Sequence, residues 1–195
     1  MTNTIFHNEE FELRGIRVPE FELKKQMLIR IYVPNFDANY NSLGYGFCVE
    51  LIRRFKQQKD EFHWAKEYTS KGFFPFRKSM TVKKYLTRKM QIDAKKAQQI
   101  IETLNIDANK KVDDLGLGKS KALSIMAKFE KTGCILFDYY GVGAMEIDFL
   151  ERVLSDEVEK GKSAIGFDRL EYAVDKELYD NIKPIKIKVP NTAQS

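Results

Sequence analysis

Two histidines and two cysteines are all that this 195-residue chain offers of the side chains that most often hold transition metals. Cys48 and Cys134 are isolated from one another, and Cys134 opens an apolar run. A disulfide framework and a cysteine metal cluster are therefore excluded as organising features, and a reducing, cytoplasmic compartment is expected. No run approaches the ~18 consecutive apolar residues that a membrane span requires. The start of the chain, with His7, Asn8, Glu9 and Glu10, lacks the charged and apolar regions of a signal peptide, so a soluble protein is expected. Internal repeats and low-complexity tracts are also missing, which excludes solenoid and fibrous designs.

What remains is an ordinary globular composition, 43% hydrophobic and 31% charged, long enough for one domain with a substantial core. The net charge of +5 leaves room for an anionic partner, but a mildly basic surface is the better reading of it. In the first third, Phe11 and Leu13, Ile16 and Val18, and Phe21 and Leu23 alternate with polar residues at the period of half-buried strands. The run from Met27 to Val33 is mostly apolar on both faces and stops at Pro34 and Asn35, as a central strand ending in a turn would.

From Thr81 to Phe129 the period becomes helical. Ala97, Ile100, Ile101 and Leu104 form one stripe, and Ala122, Ile125, Met126 and Phe129 another. Asp93 is placed to cap the first helix, the second is expected to start just after Gly118, and Asn105 to Asp114 connects them. Strand character returns at Cys134 to Phe137, a helix is expected at about Glu146 to Val158, and Ser163 to Phe167 reads as another buried strand. Helices between strands imply an α/β domain with a largely helical insertion.

One stretch carries more than periodicity. Between Asp113 and Asp138, a glycine-bearing helix start, Leu115-Gly116-Leu117-Gly118-Lys119, is followed by an apolar strand ending in aspartate, Cys134-Ile135-Leu136-Phe137-Asp138. This order resembles the second half of an ABC-type ATPase domain, where a Leu-Ser-Gly-Gly-Gln signature opens a helix and a Walker B strand follows. The resemblance extends over roughly the whole chain. Leu23 to Ile31 is similar to the family's entry into the strand before Walker A, Pro34-Asn35 to its Gly-Pro-Asn opening, and Gly143 to its D-loop glycine. Phe76 to Val82 is similar to its run into the helical subdomain, and Gly161 to Glu171 to its last strand and switch region.

The resemblance implies a P-loop NTPase-like fold: an ABC-ATPase-type core sheet flanked by helices, with an inserted helical subdomain. It implies a single domain over 1–195, with 1–75 and 130–189 as α/β core, 76–129 as helical subdomain and 190–195 as a flexible tail. At the functional positions the residues depart from the family. A phosphate loop needs glycines whose amides wrap phosphates, a lysine and a Ser/Thr hydroxyl; Phe36 to Asn41 has none of these, with Asn39 and Tyr40 near the lysine and hydroxyl positions and an acidic Asp37 beside them. Gly44-Tyr45-Gly46 reads as a turn. No glutamine occurs between Lys59 and Met90 where the Q-loop residue would lie, Tyr139 replaces the catalytic glutamate, Met145 the D-loop aspartate and Asp168 the switch histidine.

Phosphoryl transfer rests on positioning and electrostatic stabilisation by such groups, so the resemblance implies a catalytically degenerate ABC-type protein with no catalytic residue. It would act as a partner, regulatory or scaffold subunit. Asn35, Asn39, Tyr40, Gly116, Gly118 and Lys119 are the vestigial nucleotide-binding candidates, and Asp138 the candidate metal ligand. No cofactor is expected, ATP and magnesium being the alternative. The implied partners are a second copy or an intact ABC-type ATPase domain, and a membrane permease that would hold this cytoplasmic chain at the membrane.

Two other functions are compatible with the residues. One is an atypical NTPase in which Lys24, Lys25 or Lys119 approaches the phosphates. The other is nucleic-acid binding through Arg77, Lys78, Lys83, Lys84, Arg88, Lys89, Lys95 and Lys96, with Phe73, Phe74, Phe76 and Tyr85 interleaved.

Overall fold

The computed structural model of the chain describes residues 3–69, 79–174 and 177–189. Two antiparallel pairs come first. β1 (Thr4–Asn8) pairs with β4 (Phe21–Lys24), and β2 (Phe11–Leu13) with β3 (Ile16–Val18) through a two-residue turn at Arg14 and Gly15. Both turn residues have positive φ, 51° and 72°, the geometry that matches the twist of tight hairpins. The alternation read from the sequence is therefore borne out in β2, β3 and β4.

The main sheet has five strands in the order β6-β7-β8-β5-β9, all parallel. They are β5 (Leu28–Val33), β6 (His63–Trp64), β7 (Cys134–Asp138), β8 (Ser163–Arg169) and β9 (Ile182–Lys186). Between them run α1 (Gly44–Gln58), a short α2 (Val82–Lys84) continuing into a π-helical turn at Tyr85–Lys89, α3 (Ala94–Thr103), α4 (Leu117–Phe129) and α5 (Ala144–Glu159). Because the strands are parallel, every strand's carboxyl end opens on one edge of the sheet, the edge where ligands bind in open α/β folds.

Strand alternation divides the core into two. Ile29, Ile31 and Val33 of β5, with Leu136 and Phe167, pack toward α1 and the hairpins. Here Phe6, Phe11, Phe21 and Phe62 surround the helix, three of them edge-on to Phe55. On the other face Leu28, Ile135, Phe137 and Ala164 join Ile100, Ile101, Ile125, Leu150 and Leu154 in one contiguous cluster. The helices between residues 82 and 129 thus share their core with the sheet and α5.

Two expectations are corrected. Gly44-Tyr45-Gly46 is the first turn of α1, not an isolated turn: Phe47, Cys48, Leu51, Ile52 and Phe55 bury one helical face immediately beyond the glycines. Helix α4 starts at Leu117 with Gly116 as its N-cap, two residues earlier than expected. Asp93 does cap α3, its Oδ1 accepting the Lys95 and Lys96 amides at 2.8 and 3.4 Å. The tail from 190 lies outside the described residues.

Candidate functional site

Three groups of side chains converge on the carboxyl edge or its flanks. The first is the β5–α1 loop. Asp37 Oδ1 accepts the backbone amides of Asn39 and Asn41, both at 2.8 Å, and its Oδ2 accepts the Asn41 side-chain amide at 2.9 Å. The Asp37 amide bonds to the Asn41 carbonyl and the Tyr40 amide to the Asp37 carbonyl, while Phe36 and Ser42 bridge the loop's base. The loop is closed around its own carboxylate by the Asx chemistry that aspartate offers a turn. The Asn41 side chain, then the backbone amides of Asn41 and Asn39, hold the Asp37 carboxyl below its ordinary pKa. Of the candidates here, Asn35 donates its side-chain amide to Glu171 at 2.7 Å, Asn39 is exposed, and Tyr40 projects into solvent from a left-handed φ of 61°.

The second group is the start of α4. The Gly118 amide donates to Glu146 Oε2 of α5 at 3.2 Å. A carboxylate at a helix N-terminus is stabilised by free amides and the helix dipole. Approach is tight: a Cβ on Gly118 would lie 2.6 Å from the Glu146 Cβ, and one on Gly116 2.7 Å from its Oε1. Gly118 is therefore required by the packing of α5 on α4, whereas at Gly116 the Glu146 carboxylate could swing aside. Lys119, the third candidate here, reaches the Asn105 carbonyl at 3.1 Å.

The third group surrounds the end of β7. Asp138 is buried, and its Oδ1 accepts from Lys121 Nζ of α4 at 2.6 Å, with Glu67 3.5 Å from the same ammonium. Burial raises the Asp138 carboxyl above its ordinary pKa, and the Lys121 charge opposes that. A cation bound to this oxygen would have to displace Lys121. Tyr45, in the first turn of α1, stacks against Tyr140 at 5.5 Å. The Tyr45 phenol is pushed upward by burial and by the Asp138 charge, so the loop after β5 and the end of β7 are neighbours across the edge.

Sequence reasoning missed the most strongly coupled cluster altogether. Arg30, in the middle of β5, is buried and its guanidinium is shared by three carboxylates: Glu151 of α5, Asp168 of β8 at 2.6 Å and Glu177 at 3.1 Å. The guanidinium lies 4.4 Å from the ring centre of Tyr139 and 5.0 Å from that of Tyr32, and Tyr32 donates its hydroxyl to Glu177. Asp168, which the resemblance sets at the switch histidine, is thus turned into this cluster, and Tyr139, which it sets at the catalytic glutamate, is fully buried over Arg30.

Burial, only partly offset by Arg30 and reinforced by Glu177 and Asp148, pushes the Glu151 carboxyl up to about 7 from its ordinary 4.5. The folded state then binds this proton more tightly than the unfolded state, so the stability that Glu151 contributes is complete below about pH 4.5. It is lost as pH rises through about 7. In urea titrations, Glu151→Gln should flatten the fall in stability between about pH 5 and 7, an effect of up to about 3 kcal/mol. An unchanged slope would refute this assignment.

For the nucleic-acid alternative, Phe73, Phe74, Phe76, Arg77 and Lys78 lie outside the described residues. Tyr85 is a core residue beside Ser124, Lys96 pairs with Glu130, and Lys89 sits over the Tyr68 ring. Among the described residues no group of His, Cys, Asp and Glu is arranged to hold a metal ion, and no helix is long and apolar enough to cross a membrane.

No protein-family model and no curated protein matches the sequence. Solved structures do match in fold. A protein from Pyrococcus furiosus described as an ABC transporter ATP-binding protein superposes with a TM-score of 0.60 at 10% identity, over 95% of each chain. A nucleotide-free ATP-binding cassette from an ABC transporter gives 0.57 at 15% identity, over 95% of this chain and 87% of that one. CbiO1 of Clostridium perfringens, part of the ABC transporter complex CbiONQ, gives 0.57 at 11% identity over 86% and 79%. The strand order, the helices between the strands and these superpositions agree that the chain has the fold of an ABC-type ATP-binding cassette domain.

Proposed function

We propose that this protein is a non-hydrolysing partner or scaffold subunit of an ABC-type assembly. The observation that carries the proposal is the closure of the β5–α1 loop on Asp37, which engages with a carboxylate the amides that a phosphate would need. Two further positions are filled in the same manner. Glu146 takes the amide at the start of α4, and Lys121 takes one oxygen, Oδ1, of the aspartate that would otherwise face magnesium. A nucleotide would have to break each of these contacts and enter a loop lacking the lysine that normally compensates phosphate charge.

A partner role is supported by the distribution of exposed apolar side chains. Among the described residues the large ones are Phe36, Tyr40 and Tyr45 around the β5–α1 loop, Met145 at the start of α5, and Tyr172, Val174 and Leu178 after β8. All belong to segments that follow a strand's carboxyl end, so one edge of the molecule gathers them. Apolar surface gathered in this way marks an interaction face. CbiO1, which shares the fold, is itself a component of a larger complex.

Calorimetric titration of ATP with magnesium should give no saturable heat, and phosphate release should stay at background. Micromolar binding or turnover that disappears in Asp138→Ala would sink the proposal. Sedimentation should detect self-association, or pairing with a co-purified cassette subunit, that Tyr40→Glu with Met145→Glu abolishes.

A further inference from the structure

A cavity of about 760 Å³ opens beside the Arg30 cluster, between the start of α5 and the segment after β8. That volume suits a small organic molecule. Its walls are mainly apolar, with Val142 and Ile147 on one side and Tyr172 and Leu178 on the other, and its floor presents Arg30, Glu151 and Glu177.

Charge decides what would enter. Among the described residues two guanidiniums and three carboxylates line the space, Arg30 and Arg169 against Asp148, Glu151 and Glu177. Both guanidiniums are also matched from behind the wall, Arg30 by Asp168 and Arg169 by Glu171 at 3.0 Å. The cluster therefore holds more negative than positive charge, in a place where low polarity strengthens the imbalance. A neutral guest leaves this surplus in place, and an anion adds to it.

We propose that the cavity binds a small organic cation, an ammonium or guanidinium carried on an apolar body, whose charge pairs with the exposed Asp148 and with Glu151. The apolar part lies against Ile147 and Leu178, beside Tyr172, whose ring the Arg169 guanidinium covers at 4.3 Å. None of Asn35, Asn39, Tyr40, Gly116, Gly118 and Lys119 lines the cavity, and the proposal does not depend on whether the protein hydrolyses ATP.

The probe is phenethylamine, titrated calorimetrically into the full chain at pH 8, with phenethyl alcohol and phenylacetate as neutral and anionic controls. The amine should bind at one site, the alcohol at least about ten-fold more weakly, as expected for loss of a charge-assisted hydrogen bond, and the acid not at all. Asp148→Asn should weaken the amine by about the same factor. Ala144→Trp, at the exposed rim and away from the buried cluster, should abolish binding while leaving the circular dichroism spectrum unchanged, which keeps the test valid if Asp148→Asn fails to fold. Equal affinity for amine and alcohol, amine binding that survives Ala144→Trp, or no saturable amine binding would each overturn the proposal.

Discussion

Arg30→Leu should cost at least about 3–5 kcal/mol in folding stability, the loss expected when one partner of a buried ion pair is removed and the opposite charge is left without compensation. Here the charge left behind belongs to three carboxylates, Glu151, Asp168 and Glu177. The sign of the pH response identifies the cause. Without the guanidinium, each carboxyl can relieve the repulsion only by binding a proton, so the variant should regain stability as pH falls from 8 toward 5.5. Urea unfolding at the two pH values measures this. A cost below about 1 kcal/mol at both would mean that water reaches the cluster and screens it. Arg30→Lys should fall between parent and leucine variant: it keeps the charge but loses the planar fork that reaches several carboxylates and lies over Tyr139.

The second large effect is expected at Lys121. Lys121→Met strands Asp138 beneath α4 and should cost about 3–5 kcal/mol. Replacing both partners, Lys121→Met with Asp138→Leu, should recover most of that loss, because an apolar pair of similar size removes the charges together. The double-mutant cycle reads the coupling directly. If the double variant is as unstable as Lys121→Met alone, packing around α4 and not the ion pair is what the lysine maintains.

The framework was legible because its signals are periodic. Alternation in β2 to β4, the apolar runs of β5, β7 and β8, and the stripes of α3 and α4 each follow from a face that must be buried. Helix α1 was not read, since Gly44 and Gly46 suggested a turn just where its buried face begins. The cluster around Arg30 was hidden for a different reason: its three carboxylates lie 121 to 147 residues from Arg30 along the chain. Yet each left a local trace. Arg30 interrupts an otherwise apolar strand, Glu151 lies one turn from Ile147 on the face of α5 that also buries Leu154, and Lys121 lies one turn before Ile125 on α4. A charge on a buried stripe calls for an opposite charge, but only the fold names which one. At the β5–α1 loop, the acidic character of Asp37 was apparent in the sequence; that it closes the loop by binding the amides was not.

The start of α4 is fixed at two points, to α5 through Gly118 and Glu146 and to β7 through Lys121 and Asp138. The mechanical consequence is a stiff lever. A helix tied by one contact can pivot about it; one tied to two different elements transmits displacement without slack. A push delivered to the far end of α4 would arrive at the carboxyl edge of the sheet as motion of β7 and α5 together, and the amides of α4 should exchange with solvent only in openings that also unfold the sheet.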